Sequence, residues 1–211
     1  IVGTLVIIAA VVIVIVVSTS GSGKKNNNAG GAKPTPAATT SAAASPSTST
    51  SAAAPVSVPT AACAKPPTGG TASYKGVTVG QATNLKKAPK VSAKAAGAPT
   101  TLECQDLVVG KGRAATPAST VSVQYTGVLY KNGTLFDSSW SKGGKPVQFS
   151  LSGVVPGFTQ GIGGAGKVAP MRVGGRRLMI LPASLGYGAQ ANGPIPANST
   201  LVFVVDLTSI G

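Results

Sequence analysis

Histidine is absent, and only four carboxylates stand against 18 Lys and Arg. The first absence removes Ser–His–Asp and Cys–His nucleophile chemistry and every histidine-based metal site. The second leaves little for a pair of carboxylates working as general acid and base. Two cysteines, Cys63 and Cys104, are too few for a four-thiolate zinc site. No metal and no cofactor is expected, and the chemistry has to run without conventional proton-transfer machinery. Aromatic residues are also few: nine in 211, with Tyr74 alone before Tyr125. Aromatic side chains dominate core energetics, so only the second half is equipped to build a sizeable core.

Acid is missing altogether from residues 1–100, which carry nine Lys; residues 101–211 carry nine basic and four acidic residues, and the net charge is +14. The lysines are scattered, apart from Lys24–Lys25 and Lys86–Lys87, and no aromatics interleave with them as stacking platforms. No nucleic-acid partner is expected; weak attraction to an anionic envelope fits better. Ile1 to Val17 is a run without charge, about 25 Å long as a helix and near the lower limit for crossing a bilayer. It reads as a single-pass transmembrane anchor at the cell membrane, with the C-terminal part extracytoplasmic. A cleaved signal peptide is the alternative, although its apolar stretch is normally about 7–15 residues.

Residues 18–62 read as a disordered linker, because all but eight of the 45 are Ala, Ser, Thr, Pro or Gly. Such a composition cannot bury enough apolar area to offset chain entropy. As a flexible coil it would reach roughly 35–40 Å. Residues 63–100 form a poorly defined extension, with short strands expected at Ala72–Val79 and Lys90–Ala93. Cys63 and Cys104 bracket it. An even count in an extracytoplasmic protein favours a disulfide, and two unpaired thiols are the alternative.

From Thr101 onward, short alternating runs are separated by Gly and Pro. Val121, Val123 and Tyr125 alternate with polar residues, as do Val147, Phe149 and Leu151, which is the pattern of half-buried strands. Asn132-Gly133 marks a hairpin turn. Arg176 to Leu181 and Leu201 to Leu207 are two further strand-like runs. Gly157 to Gly164 is the one stretch placed to be a helix, and its glycines make it a poor one by propensity. The expected fold for 101–211 is α+β, a twisted antiparallel sheet of about five strands packed on one short helix.

Two motifs mislead. Gly161 to Lys167 matches the front of a phosphate-binding loop, but Val168 follows the lysine where a magnesium-ligating hydroxyl is needed. Ser139-Trp140-Ser141-Lys142 matches an acyltransferase SxxK, yet neither companion motif is present.

A larger pattern is more specific. Val121-Ser-Val-Gln-Tyr-Thr-Gly127, Leu135-Phe-Asp-Ser-Ser139, Val154-Val-Pro-Gly-Phe158, Met171-Arg-Val-Gly-Gly-Arg-Arg177, Leu185-Gly-Tyr-Gly188 and Pro196-Ala-Asn-Ser-Thr-Leu-Val-Phe203 occur in this order. Together they resemble the FKBP-type peptidyl-prolyl cis/trans isomerases, the rapamycin-binding immunophilins, over about half the chain. The resemblance implies a sheet curled around one helix, with the substrate proline between them. It implies catalytic roles for Tyr125, Phe136, Asp137, Phe158 and Tyr187, and substrate contacts at Phe149, Val154, Val155, Ile195 and Phe203. Phe158 would be the pocket floor. Phe136, Phe149 and Phe203 would be its walls, and Tyr187 would reach over the rim. The Tyr187 hydroxyl and the Val155 N–H would hold substrate carbonyls, and Asp137 would be hydrogen-bonded to Tyr125.

The implied partners are proline-containing polypeptides, macrolides of the rapamycin type and, through the N-terminal segment, the membrane; a monomer is expected. Three departures stand out. Phe158 replaces the tryptophan of the best-known members, Val147 replaces a frequent phenylalanine, and Ala165 to Pro170 reads as an insertion. The expected function is isomerisation of X–Pro bonds in exported or cell-surface proteins. Two alternatives remain: a proline-segment binding module or chaperone without turnover, and a structural envelope protein using the lysines of 65–94.

Overall fold

The computed structural model describes residues 62–94 and 97–211. The expected anchor at 1–17 and the linker up to residue 61 lie outside the described residues. Among the described residues no helix is long and apolar enough to cross a membrane.

The extension is folded. β1 (Thr71–Tyr74), β2 (Val77–Gly80) and β3 (Lys90–Ala93) form an antiparallel sheet in that order. The single strand expected over Ala72–Val79 is two, because Lys75 and Gly76 both take positive φ and turn the chain back. The larger sheet has six strands rather than five: β4 (Glu103–Val108), β5 (Thr120–Leu129), β6 (Leu135–Ser138), β7 (Val147–Ser150), β8 (Gly175–Leu181) and β9 (Leu201–Ile210). Their order is β4-β8-β9-β5-β6, all antiparallel neighbours. β5 is long enough for its two halves to take separate partners, β7 on Thr120–Val123 and β6 on Thr126–Val128.

Alternation along β8 and β9 sends side chains to two different cores. Met179, Leu181, Phe203, Val205 and Leu207 pack with the helix α1 (Pro156–Gly163) on one face. Leu178, Ile180, Val202 and Val204 pack with Ala72, Val77, Val79 and Ala93 of the small sheet on the other. All seven residues of β8 are therefore buried. Cys63 is bonded to Cys104 of β4, and the Ala64 N–H and C=O pair with Cys104 and Asp106, so the chain enters as a short addition beside β4.

The glycines that weaken α1 by propensity let it lie close to the sheet. A Cβ on Gly157 would overlap the Leu181 side chain, and one on Gly161 would overlap Met179 Sδ. Pro156 opens the helix at a position where its missing N–H costs nothing. The Arg177 guanidinium donates to the Gly161 carbonyl at 2.7 Å and to the Ala169 carbonyl at 2.8 Å, closing the far end of the helix and fixing the 165–170 segment.

Candidate active site

All four phenylalanines of the chain meet on the helix face. Phe158, 1% exposed at the start of α1, lies edge-on to Phe203 of β9, with ring centroids 4.6 Å apart and planes at 85°. Phe136 stands T-shaped against the same Phe203 at 5.4 Å, Phe149 of β7 flanks Phe158 at 5.8 Å, and Tyr125 of β5 lies 6.5 Å from Phe203. These separations and tilts suit ring quadrupoles, which favour edge-to-face contact over sandwiches. Val154, Val155 and Ile195 are buried in the same cluster, and Tyr187 packs partly against it.

A defect in pairing makes this possible. The register of β6 on β5 shifts between Leu135 and Asp137, so Phe136 is the extra residue of a β-bulge. Two consecutive side chains, Phe136 and Asp137, thereby face the cluster, whereas a regular strand would send them to opposite faces. Gly127 leaves the room: a Cβ there would stand 2.6 Å from the Phe136 ring and 3.0 Å from that of Phe203.

Asp137 is fully engaged. The Tyr125 hydroxyl donates to Oδ2 at 2.5 Å, the Ser138 N–H donates to Oδ1 at 2.8 Å, and Lys142 Nζ lies 2.6 Å from Oδ1. Burial pushes the Tyr125 phenol above its ordinary value, and the Asp137 hydrogen bond and charge push it further. Burial raises Tyr187 as well, partly opposed by a side-chain hydrogen bond with Asn192. Both phenols stay protonated, ready to donate. The Val155 N–H makes no hydrogen bond among the described residues, while its carbonyl accepts from Phe158 N–H at 2.9 Å.

The structure thus brings together every residue singled out by the resemblance, and it adds some that the sequence did not flag. Gly127, the bulge and Lys142 are among them. Lys142 gave only a false signal, as the end of the SxxK motif. Its ammonium pairs with Asp137, and Ser139 is buried in a hydrogen-bond network with Gln124 and the Tyr125 backbone. The glycine-rich 161–167 stretch ends a helix instead of opening one, which is the wrong end for a phosphate. Val147 is 39% exposed and contributes no wall.

The arrangement is an aromatic cluster with phenol and backbone hydrogen-bond donors beside it, and among its described residues no Ser or Cys nucleophile stands next to a His or Lys base. Comparison with known proteins gives that site a family. The sequence pattern of the FKBP-type peptidyl-prolyl cis-trans isomerases matches residues 111–208. The chain is 39% identical over 121 residues to a probable FK506-binding protein of Corynebacterium glutamicum, covering 57% of this chain and 97% of that one. It is 40% identical over 126 residues to an FK506-binding protein of Streptomyces anulatus, covering 58% and 96%. The crystal structure of AtFKBP13 superimposes with a TM-score of 0.50 at 32% identity, over 57% of this chain and 98% of that one. The chain belongs to the FKBP-type peptidyl-prolyl cis-trans isomerases.

Proposed function

We propose that the chain isomerises X–Pro bonds of exported or cell-surface polypeptides while held at the membrane by residues 1–17. Rotation about the amide faces a barrier of about 18–20 kcal/mol, most of it lost resonance. The half-rotated amide has a less polar carbonyl, so it loses less than either planar isomer on leaving water. The slot floored by Phe158 and walled by Phe136, Phe149 and Phe203 binds that form best, which is catalysis by differential binding. Tyr187 and the Val155 N–H hold substrate carbonyls. Tyr125, Asp137 and Lys142 fix the wall that carries Phe136. Rapamycin-type macrolides would compete for the same slot. The observation that carries the reading is the convergence of all four phenylalanines with the Tyr125–Asp137 pair.

The disulfide between Cys63 and Cys104 supports an oxidising, extracytoplasmic setting, and the apolar run before the polar linker supports the tether. Isomerisation of a proline tetrapeptide tests the site. Phe158→Ala and Tyr187→Ala are expected to slow it by at least about tenfold, the loss of about 1.4 kcal/mol of transition-state binding, with circular dichroism unchanged. Unaltered rates in either folded variant would overturn the assignment.

A further inference from the structure

β6 is the last strand of its sheet, hydrogen-bonded only to β5, and its two faces differ. Phe136 and Asp137 belong to the aromatic slot. Leu135 and Ser138 face the other way, onto a groove of about 430 Å³. Thr126 and Val128 of β5 line that groove, with Leu135 and Trp140 on one side and Val91 of β3 and the preceding Pro89 on the other. Since β3 is likewise the end strand of its sheet, the groove runs between two sheet margins. Its far wall is absent from the stretch matched by the family pattern, 111–208; the extension builds it.

The lining is unusual for a surface with no use. Leu135 is 54% exposed on an end strand, where apolar side chains invite unwanted pairing and are normally replaced by charge. The Trp140 Nε1 donor is buried with no acceptor among the described residues, a state that costs free energy. We infer that this groove holds the extended segment flanking the proline of a client polypeptide whose X–Pro bond lies in the aromatic slot. The inference rests on the isomerase reading. Continuity decides the occupant: Leu135 in the groove and Phe136 in the slot are adjacent residues of an end strand. One polypeptide can pass around that margin and fill both when several extended residues, at roughly 3.3 Å each, continue beyond the proline. A tetrapeptide with its proline in the slot has too few residues left on either side to reach the groove. The protein is built for unfolded chains, and the extension is its second grip.

The test uses the full chain with Leu135→Glu on one wall of the groove and Ala88→Asp, beside Pro89 on the other, both at exposed positions. Each variant is assayed on a proline tetrapeptide and on a reduced, carboxymethylated ribonuclease whose refolding waits on proline. Acceleration of refolding is expected to fall by about fivefold or more, as for loss of an apolar anchor, with tetrapeptide turnover unchanged. Equal retention of both activities would overturn the inference, as would equal loss of both. Wild-type protein inactive on the tetrapeptide would instead fail the isomerase reading. The groove is then judged by titrating the unfolded ribonuclease against the emission of Trp140, the only tryptophan: a shift abolished by Leu135→Glu supports it, and no shift overturns it.

Discussion

The two faces of the six-stranded sheet are made by the same strands and covered to different ends. On the helix face Tyr125 and all four phenylalanines cluster among aliphatics such as Leu181, Val205 and Leu207. On the other face, under β1–β3, the filling is almost wholly aliphatic: Leu107, Val128, Leu178, Ile180, Val202 and Val204 against Ala and Val of the cover. The rings meet edge-on, the arrangement their quadrupoles favour, whereas the branched aliphatics of the other face interlock. Each face also has one buried arginine locking what covers it. Arg176 forks onto Asp206 and donates to the Gln81 and Lys87 carbonyls in the connection between β2 and β3. Arg177 binds Asp106 and the carbonyls of Gly161 and Ala169. Neighbours in sequence, they hold down opposite lids.

Breaking the lock on the cover face has the largest expected effect. Arg176 is fully buried, and burial pushes the Asp206 carboxyl up while Arg176 pulls it back. Asp206→Asn leaves the guanidinium without its charge partner at a cost of about 3–5 kcal/mol. Urea unfolding should show that loss, with tetrapeptide turnover per folded molecule unaltered. A matching fall in turnover would mean that the two faces are coupled.

A smaller effect is expected from Gly127→Ala on the helix face. The added methyl displaces the Phe136 ring from Phe203 and costs about 1–3 kcal/mol as overpacking. Here turnover should fall along with stability, because the displaced ring is a wall of the slot. Stability loss with full turnover would remove Phe136 from the site.

Much of this was legible in the order of residues. The alternation of Val121, Val123 and Tyr125 placed β5, and the six motifs named side chains that the fold brings into one cluster, because side-chain period and local turn chemistry are written in sequence. What escaped depends on distant partners. The bulge at Phe136 is a property of how β6 meets β5 and has no local signature. α1 carries glycines that propensity counts against it, and only contact with Leu181 and Met179 explains them. The turn that splits Ala72–Val79 into β1 and β2 rests on positive φ at Lys75 and Gly76, which alternation does not mark, whereas β3 lies where Lys90–Ala93 is expected. Arg176 and Arg177 at the head of an apolar run were a signal of buried pairing that periodicity alone does not decode.

The tyrosines offer the finest comparison, two to each face. Tyr74 donates to Glu103 at 2.7 Å beneath the small sheet, and Tyr125 donates to Asp137 at 2.5 Å in the slot; each carboxylate has a lysine, Lys75 or Lys142, at its side. Tyr130 donates to the Lys75 carbonyl, and Tyr187 lies at the rim. Burial is the first cause of an upward shift in all four phenols, joined by a carboxylate hydrogen bond at Tyr74 and Tyr125. A phenol raised by folding stabilises the fold below its unfolded value of about 10, and that contribution drains away as pH climbs through the raised value. Ultraviolet titration should therefore find little phenolate at pH 10, then cooperative ionisation as the chain unfolds. A proline ligand in the slot binds only the folded chain and should move that whole transition, all four phenols together, to higher pH. A transition left in place at saturating ligand would show that the folded chain does not hold the proline.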